Sequence, residues 1–194
     1  HTRLESGARD VTANAIKFGL LGRRVDRIVC VAPHIASAVG RRLGPARRIV
    51  TMPNAVDVVR FPLRTGERVA AARERLGLAD SAAVLAHMGR LWELKGGDLL
   101  LEAARLLRDE GTDVLVLTVA GGEQARRAAA RLSLEDSVRV IEPSDDVATL
   151  YTAADVFVAC SRAEGMPYSL LEAAATGTGI LASDIPGQGT LARR

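Results

Sequence analysis

The sequence has 194 residues, 48% of them hydrophobic, and a formal net charge of only +3, which describes a globular chain able to fill an ordinary core. Aromatic residues are 3% of it, so platforms for stacking bases are scarce and nucleic acid is excluded as an expected partner. No run approaches the roughly 18 consecutive apolar residues of a membrane span, and no basic-flanked apolar leader opens the chain, so a cytoplasmic protein is expected.

The chain starts at His1, and its last residues follow what reads as a strand and loop without a closing helix. The expectation is a piece truncated at both ends. A long helix over 5–24 comes first, then a strand over 27–32, a helix from His34 and a strand over 48–52. Pro53 and Asn54 end that strand, and irregular spacing up to Pro62 marks a crossing between domains. A helix over 64–76 leads into the second half, where Val, Leu and Ile runs alternate with helical stretches. Strands are predicted over 84–89, 113–120, 137–141, 155–160 and 179–183, and helices over 97–110, 123–132, 145–153 and 167–176. Successive apolar positions in these runs suit parallel strands covered on both faces, a doubly wound α/β domain. The expected division is therefore 1–53, a crossing and leading helix over 54–81, and a truncated ligand-binding domain over 82–194.

Arginines cluster at Arg23, Arg24 and Arg27 and at Arg41, Arg42, Arg47 and Arg48. The plain reading is the solvated face of two helices; the extension is peripheral contact with anionic headgroups at the inner face of a membrane. Cys30 and Cys160 lie far apart in apolar runs and read as reduced core residues. With three histidines and no H-E-x-x-H spacing, no protein metal site is expected. G-x-S-x-G, Walker and G-x-G-x-x-G patterns are also missing, which removes the main support for serine hydrolase, P-loop and ordinary dehydrogenase chemistry. Nothing in the sequence sets an oligomeric state.

Two runs carry chemistry. HMGRLWELKGGD, residues 87–98, passes from a strand to a helix and places Arg90 and Lys95 in the connection. A guanidinium fork and a mobile ammonium beside a helix N-terminus suit a diphosphate, and two solvent-facing cations in a turn are the alternative. EGMPYSLLEA, residues 164–173, also follows a strand. Gly165 and Pro167 suggest a tight turn with proline in the first helical turn, Glu164 in the loop and Glu172 within the helix. Glu172 sits among Leu170, Leu171 and three alanines, where an ionised carboxylate needs a partner; it could accept the vicinal hydroxyls of a ribose. Paired carboxylates also serve glycoside hydrolases, but that chemistry needs no arginine and lysine pair.

In order and spacing these runs resemble family 4 of the retaining glycosyltransferases, of the two-domain GT-B fold. DRIVCVAPHIASAV (26–39) is similar to the end of that family's N-terminal domain and RIVTMPNAVDVVRF (48–61) to its interdomain crossing. GRLWELKGG resembles its diphosphate loop, EGMPYSLLEA its E-x7-E motif, and ASDIPG (182–187) the segment beyond. The resemblance implies a Rossmann-like donor domain preceded by the tail of an acceptor-side domain. It implies transfer of a sugar from a UDP- or GDP-sugar to an acceptor hydroxyl of a saccharide, lipid or small molecule, with retention and without a cofactor. It assigns Arg90 and Lys95 to the diphosphate, Glu172 to the ribose and Glu164 to the donor sugar, with Glu164, Arg90 and Lys95 as the catalytic set. Gly165, Met166 and Pro167 would face sugar or phosphate, and Val140, Ile141 and Glu142 would border the base. His1 stands where the family has a histidine near the sugar, although a terminus is the plainer reading. Departures are Ala32, Ala55, Cys160 and Gly179, and Glu142 with Pro143 where a glycine often ends the base-side strand. Two alternatives stay open, a non-catalytic nucleotide-binding module or fragment and a GT-B-type epimerase. The isolated piece is expected to be inactive, since acceptor contacts lie upstream.

Overall fold

The computed structural model describes residues 25–43, 48–78, 83–143 and 146–192. The predicted helix over 5–24, His1, Arg23, Arg24 and Arg47 lie outside them. The chain divides into two compact units, one ending at Asn54 and one starting at Ala55.

In the first unit, β1 (Ile28–Cys30) pairs in parallel with β2 (Ile49–Thr51), and α1 (Pro33–Leu43) connects them. Both strands are shorter than the predicted 27–32 and 48–52. Arg41 and Arg42 are exposed in the last turn of α1, where cations complement the helix dipole.

The second unit opens on α2 (Gly66–Leu76) and continues β3 (Ala83–Met88), α3 (Gly97–Asp109), β4 (Val114–Val119), α4 (Gly122–Arg131), β5 (Val138–Ile141), α5 (Val147–Ala153), β6 (Val156–Ala159), α6 (Tyr168–Thr176), β7 (Gly179–Ala182) and α7 (Gly189–Ala192). Each predicted strand and helix of this half has a counterpart within about two residues at either end. The helix expected from Arg64 starts at Gly66 instead, because the Thr65 side chain accepts from the Arg68 amide and caps it. The segment after β7, read as a loop, carries the short helix α7.

All five strands pair in parallel, in the order β5-β4-β3-β6-β7. Alternate residues face opposite sides. Val114 and Val116 of β4 join Leu100, Leu101, Ala104 and Ala125 of α3 and α4 in one buried cluster. Leu117 and Val119 join Tyr151, Leu170 and Ala173 of α5 and α6, with Phe157, in the other. At the N-terminal edge of the sheet Asp155 locks β3 to β6: its Oδ2 accepts both the Val84 amide and the Arg73 guanidinium at 2.8 Å.

Candidate functional site

The strand order reverses between β3 and β6, so the connections leaving their C-terminal ends diverge and open a crevice, the place where ligands bind in open parallel sheets. After β3 the chain runs through residues 89–96 into α3; after β6 it runs through 160–167 into α6. Leu91 takes a left-handed φ of 59°, a strained choice for a non-glycine residue, and its carbonyl accepts the Lys95 amide at 3.0 Å. Gly96, at φ 74°, is forced: a Cβ there would stand 2.0 Å from the Cys160 carbonyl oxygen. Only glycine lets the two connections touch.

Their contact is dense in polar ties. The Arg162 amide donates to the Leu94 carbonyl at 2.8 Å, and its guanidinium forks onto Asp98 at 2.8 and 2.7 Å. That fork is the main reason the Asp98 carboxyl lies below its ordinary range. The Cys160 thiol donates to the Gly96 carbonyl at 3.0 Å, and burial pushes the thiol pKa up. Cys160 is thus a half-buried thiol that packs against one core cluster beside the site; Cys30 is buried, and neither forms a disulfide.

At the centre Lys95 Nζ meets Glu164 Oε1 at 2.5 Å, their side chains only 23% and 11% exposed. Ser161 Oγ donates to the same oxygen at 2.9 Å. Beneath them His87, buried in β3, lies with Nε2 3.2 Å from the Lys95 carbonyl oxygen and Nδ1 3.2 Å from Thr118 Oγ1. A carbonyl can only accept, so Nε2 carries the proton and Nδ1 accepts from Thr118. Burial depresses the His87 pKa to about 4, the hydrogen bond to Lys95 opposes this, and the Lys95 charge adds to it. The imidazole stands edge-on to Trp92, ring centroids 5.6 Å apart.

The structure thus joins two of the predicted residues directly, Lys95 and Glu164. Arg90 is exposed in the same connection as Lys95 and forms no ion pair among the described residues. Gly165, Met166 and Pro167 form the half-buried to buried lead into α6. Pro167 is not in the first helical turn as expected: it is the N-cap, with ψ 128°. Glu172 lies in α6, and the partner that its surroundings demand is Tyr151, whose phenol donates to Oε2 at 2.8 Å. Burial, then the nearby Glu172 charge, raises the Tyr151 pKa. Val140 and Ile141 are half-buried in β5, at the far edge of the sheet, and Glu142 is exposed and pairs with Arg126 at 3.2 Å. Among the described residues no group of three or more metal-ligating side chains converges, and no helix is long and apolar enough to cross a membrane.

His87, Ser161 and Tyr151 were not singled out from the sequence. His87 offered one signal, a lone imidazole inside an apolar strand run, which demands buried partners. Tyr151 and Ser161 offered none, because each acts on a glutamate through tertiary contact.

A parallel doubly wound sheet with charged connections meeting at its switch point is the architecture of a Rossmann-like domain of the GT-B type. Among solved structures, Anabaena Alr3699/HepE in complex with UDP and glucose aligns with a TM-score of 0.80 at 23% identity, covering 92% of this chain and 50% of that one. WaaG, a glycosyltransferase involved in lipopolysaccharide biosynthesis, aligns at TM-score 0.77 and 19% identity, covering 86% and 47%. The family model for glycosyl transferases group 1 matches residues 69–193, and the chain belongs to that family. A D-inositol 3-phosphate glycosyltransferase 2 of Catenulispora acidiphila is 36% identical over 180 residues, covering 85% of this chain and 42% of the relative. A D-inositol 3-phosphate glycosyltransferase of Geodermatophilus obscurus is 39% identical over 161 residues, covering 76% and 35%. The chain therefore spans about two fifths of the length of these relatives.

Proposed function

We propose that this chain is the donor-binding part of a retaining glycosyltransferase, which moves a sugar from a UDP- or GDP-sugar to an acceptor hydroxyl. The observation that carries the reading is the contact of Lys95 with Glu164 at the switch point, with Arg90 on the same connection. The central demand of the reaction is to stabilise charge on the departing diphosphate. Arg90, Lys95 and the N-terminus of α3 offer a preorganised positive field for it. Glu164, which accepts from Ser161, is the carboxylate assigned to the sugar beside that field. Glu172 takes the ribose: the Tyr151 hydrogen bond occupies Oε2 and orients the carboxylate, so Oε1 is the oxygen assigned to a ribose hydroxyl. Main-chain groups of Val140, Ile141 and Glu142 border the base, and those of Gly165, Met166 and Pro167 face sugar or phosphate. The name of the relatives makes inositol 3-phosphate the first acceptor to try, and the HepE complex makes UDP the first nucleotide. An acceptor that is saccharide, lipid or another small molecule remains within the same reading, as does peripheral membrane contact of a cytoplasmic protein.

The test uses the full-length parent with UDP-glucose, UDP-N-acetylglucosamine and GDP-mannose, each with and without inositol 3-phosphate. Transfer with the donor's anomeric configuration kept in the product is expected. Calorimetric absence of nucleoside diphosphate binding, together with no hydrolysis or transfer of any donor, overturns the reading.

A further inference from the structure

Behind the Lys95–Glu164 pair lies a small cavity of about 10 Å³, whose lining includes His87, Lys95, Glu164, Ser169 and Gln188. That is space for roughly one water-sized group, hence for a single hydroxyl and not for a sugar ring. Gln188 is 1% exposed, and among the buried side-chain oxygens and nitrogens of the described residues its Oε1 alone has no hydrogen-bond partner. Leaving a buried acceptor unmade is costly, so a donor is expected to arrive there. The position of Gln188 is not incidental. The preceding Gly187 has φ 96°, and a Cβ on it would lie 2.3 Å from the Gly165 carbonyl oxygen and 2.8 Å from that of Glu164. The backbone before Gln188 is therefore packed directly on the backbone of the Glu164 turn, in a way that excludes other residues at 187.

Resting on the transferase reading, we infer that Gln188 is a specificity-determining residue whose Oε1 accepts a hydrogen bond from one hydroxyl of the transferred sugar. The cavity admits that hydroxyl and its occupant in the free enzyme is a water that the sugar displaces. A donor lacking the hydroxyl cannot make this bond and loses its share of transition-state binding, the kind of discrimination a buried hydrogen-bonding group produces. Glu164 and Gln188 then read the sugar from two sides of one cavity, and neither touches the nucleotide.

The experiment uses the full-length parent, the best donor from the panel above and its monodeoxy analogues, with the wild type, Gln188→Met and Gln188→Glu. Gln188→Met, which fills similar volume without an acceptor, is expected to lower kcat/KM for the parent donor by about 10- to 100-fold. Affinity for the bare nucleoside diphosphate should stay within about twofold. One deoxy analogue should show the same loss with the wild type and no further loss with Gln188→Met, the signature of a direct pair. Gln188→Glu keeps an acceptor and should recover part of the discrimination. Equal handling of all deoxy analogues by wild type and Gln188→Met overturns the inference, as does a crystal structure of the donor complex in which a water stays on Oε1. An equal loss of bare nucleotide affinity also overturns it, since that marks a purely structural role. Failure of the wild type to bind any nucleoside diphosphate brings down the transferase reading itself, and this inference with it.

Discussion

The imidazole of His87 holds the backbone of the residue whose ammonium holds Glu164: Nε2–H donates to the Lys95 carbonyl at 3.2 Å. The bond needs a neutral ring with its proton on Nε2, and burial favours that ring by lowering the pKa from 6.5 to about 4. Unfolded, the same histidine takes a proton near pH 6.5. Between these values the unfolded chain binds more protons than the folded one, so stability falls with falling pH. Full stability is present above about pH 6.5, and the loss levels off below about pH 4. Its size is on the order of 2 to 4 kcal/mol. Urea denaturation at intervals from pH 7.5 to 4 should show this slope and His87→Gln should flatten it; an identical slope in the variant would refute the assignment.

Glu172 and Glu164 should fail differently. Glu172→Ala should weaken binding of the bare nucleoside diphosphate by roughly 1.5 to 3 kcal/mol, as for charged hydrogen bonds. Tyr151→Phe removes only the bond that orients Glu172 and should cost about 1 kcal/mol of the same affinity. Glu164→Ala should spare the bare nucleotide and lower turnover. Calorimetry and steady-state rates on the full-length parent separate these, and equal nucleotide losses for Glu164→Ala and Glu172→Ala would contradict the division.

The Lys95–Glu164 pair predicts an asymmetry in stability. Lys95→Met takes the ammonium away from a carboxylate that is 11% exposed, to which Ser161 still donates, and should destabilise by about 2 kcal/mol. Glu164→Gln keeps an acceptor for both neighbours and should cost under about 1 kcal/mol. The double variant should recover part of the Lys95→Met loss, because no uncompensated charge remains. Additive losses in a denaturation cycle would speak against a coupled pair.

Two left-handed glycines give a matched comparison. At Gly77, with φ 59°, an added Cβ would meet nothing within 4 Å, whereas at Gly96 the Cys160 carbonyl oxygen would stand 2.0 Å from it. Gly77→Ala should cost about 1 kcal/mol of backbone strain. Gly96→Ala must push the two connections apart and should cost about 3 kcal/mol or more, with loss of donor turnover. Similar melting temperatures for the two variants would mean that the connections have slack.

Turnover by the full-length parent should not need a divalent metal, since Arg90 and Lys95 offer the charge that a metal ion would otherwise supply. Rates measured with excess chelator should stay within about twofold; abolition by chelator and rescue by manganese would contradict this.

The fold of the second unit was legible because its strands are apolar at successive positions and alternate with helical stretches. The capping residues were not read: Thr65 caps the start of one helix through its side chain, and Gly177 ends another through an αL turn at φ 73°. Lys95 and Glu164 were legible as candidate site residues, since both stand just past a strand. Their mutual contact was not, because it depends on how closely Gly96 approaches Cys160. Likewise Tyr151 lies 21 positions from Glu172, to which it donates, and Gln188 lies 24 positions from Glu164, with which it lines one cavity. No local spacing rule spans such distances. The register of β7 against β6, Val156 with Gly179 through Ala159 with Ala182, is what carries the chain to Gln188.

The order of the strands also spreads the recognition tasks across the sheet. On the proposed reading, with β5 two places from β3, the residues assigned to the base stand roughly 10 Å from those assigned to the phosphates, and the turns assigned to the sugar follow β6 and β7 on the opposite side. Preference for the base and preference for the sugar can therefore drift independently: substitutions at one edge of the sheet leave the charges at the crevice in place. A lineage built on this scaffold can change its donor one moiety at a time.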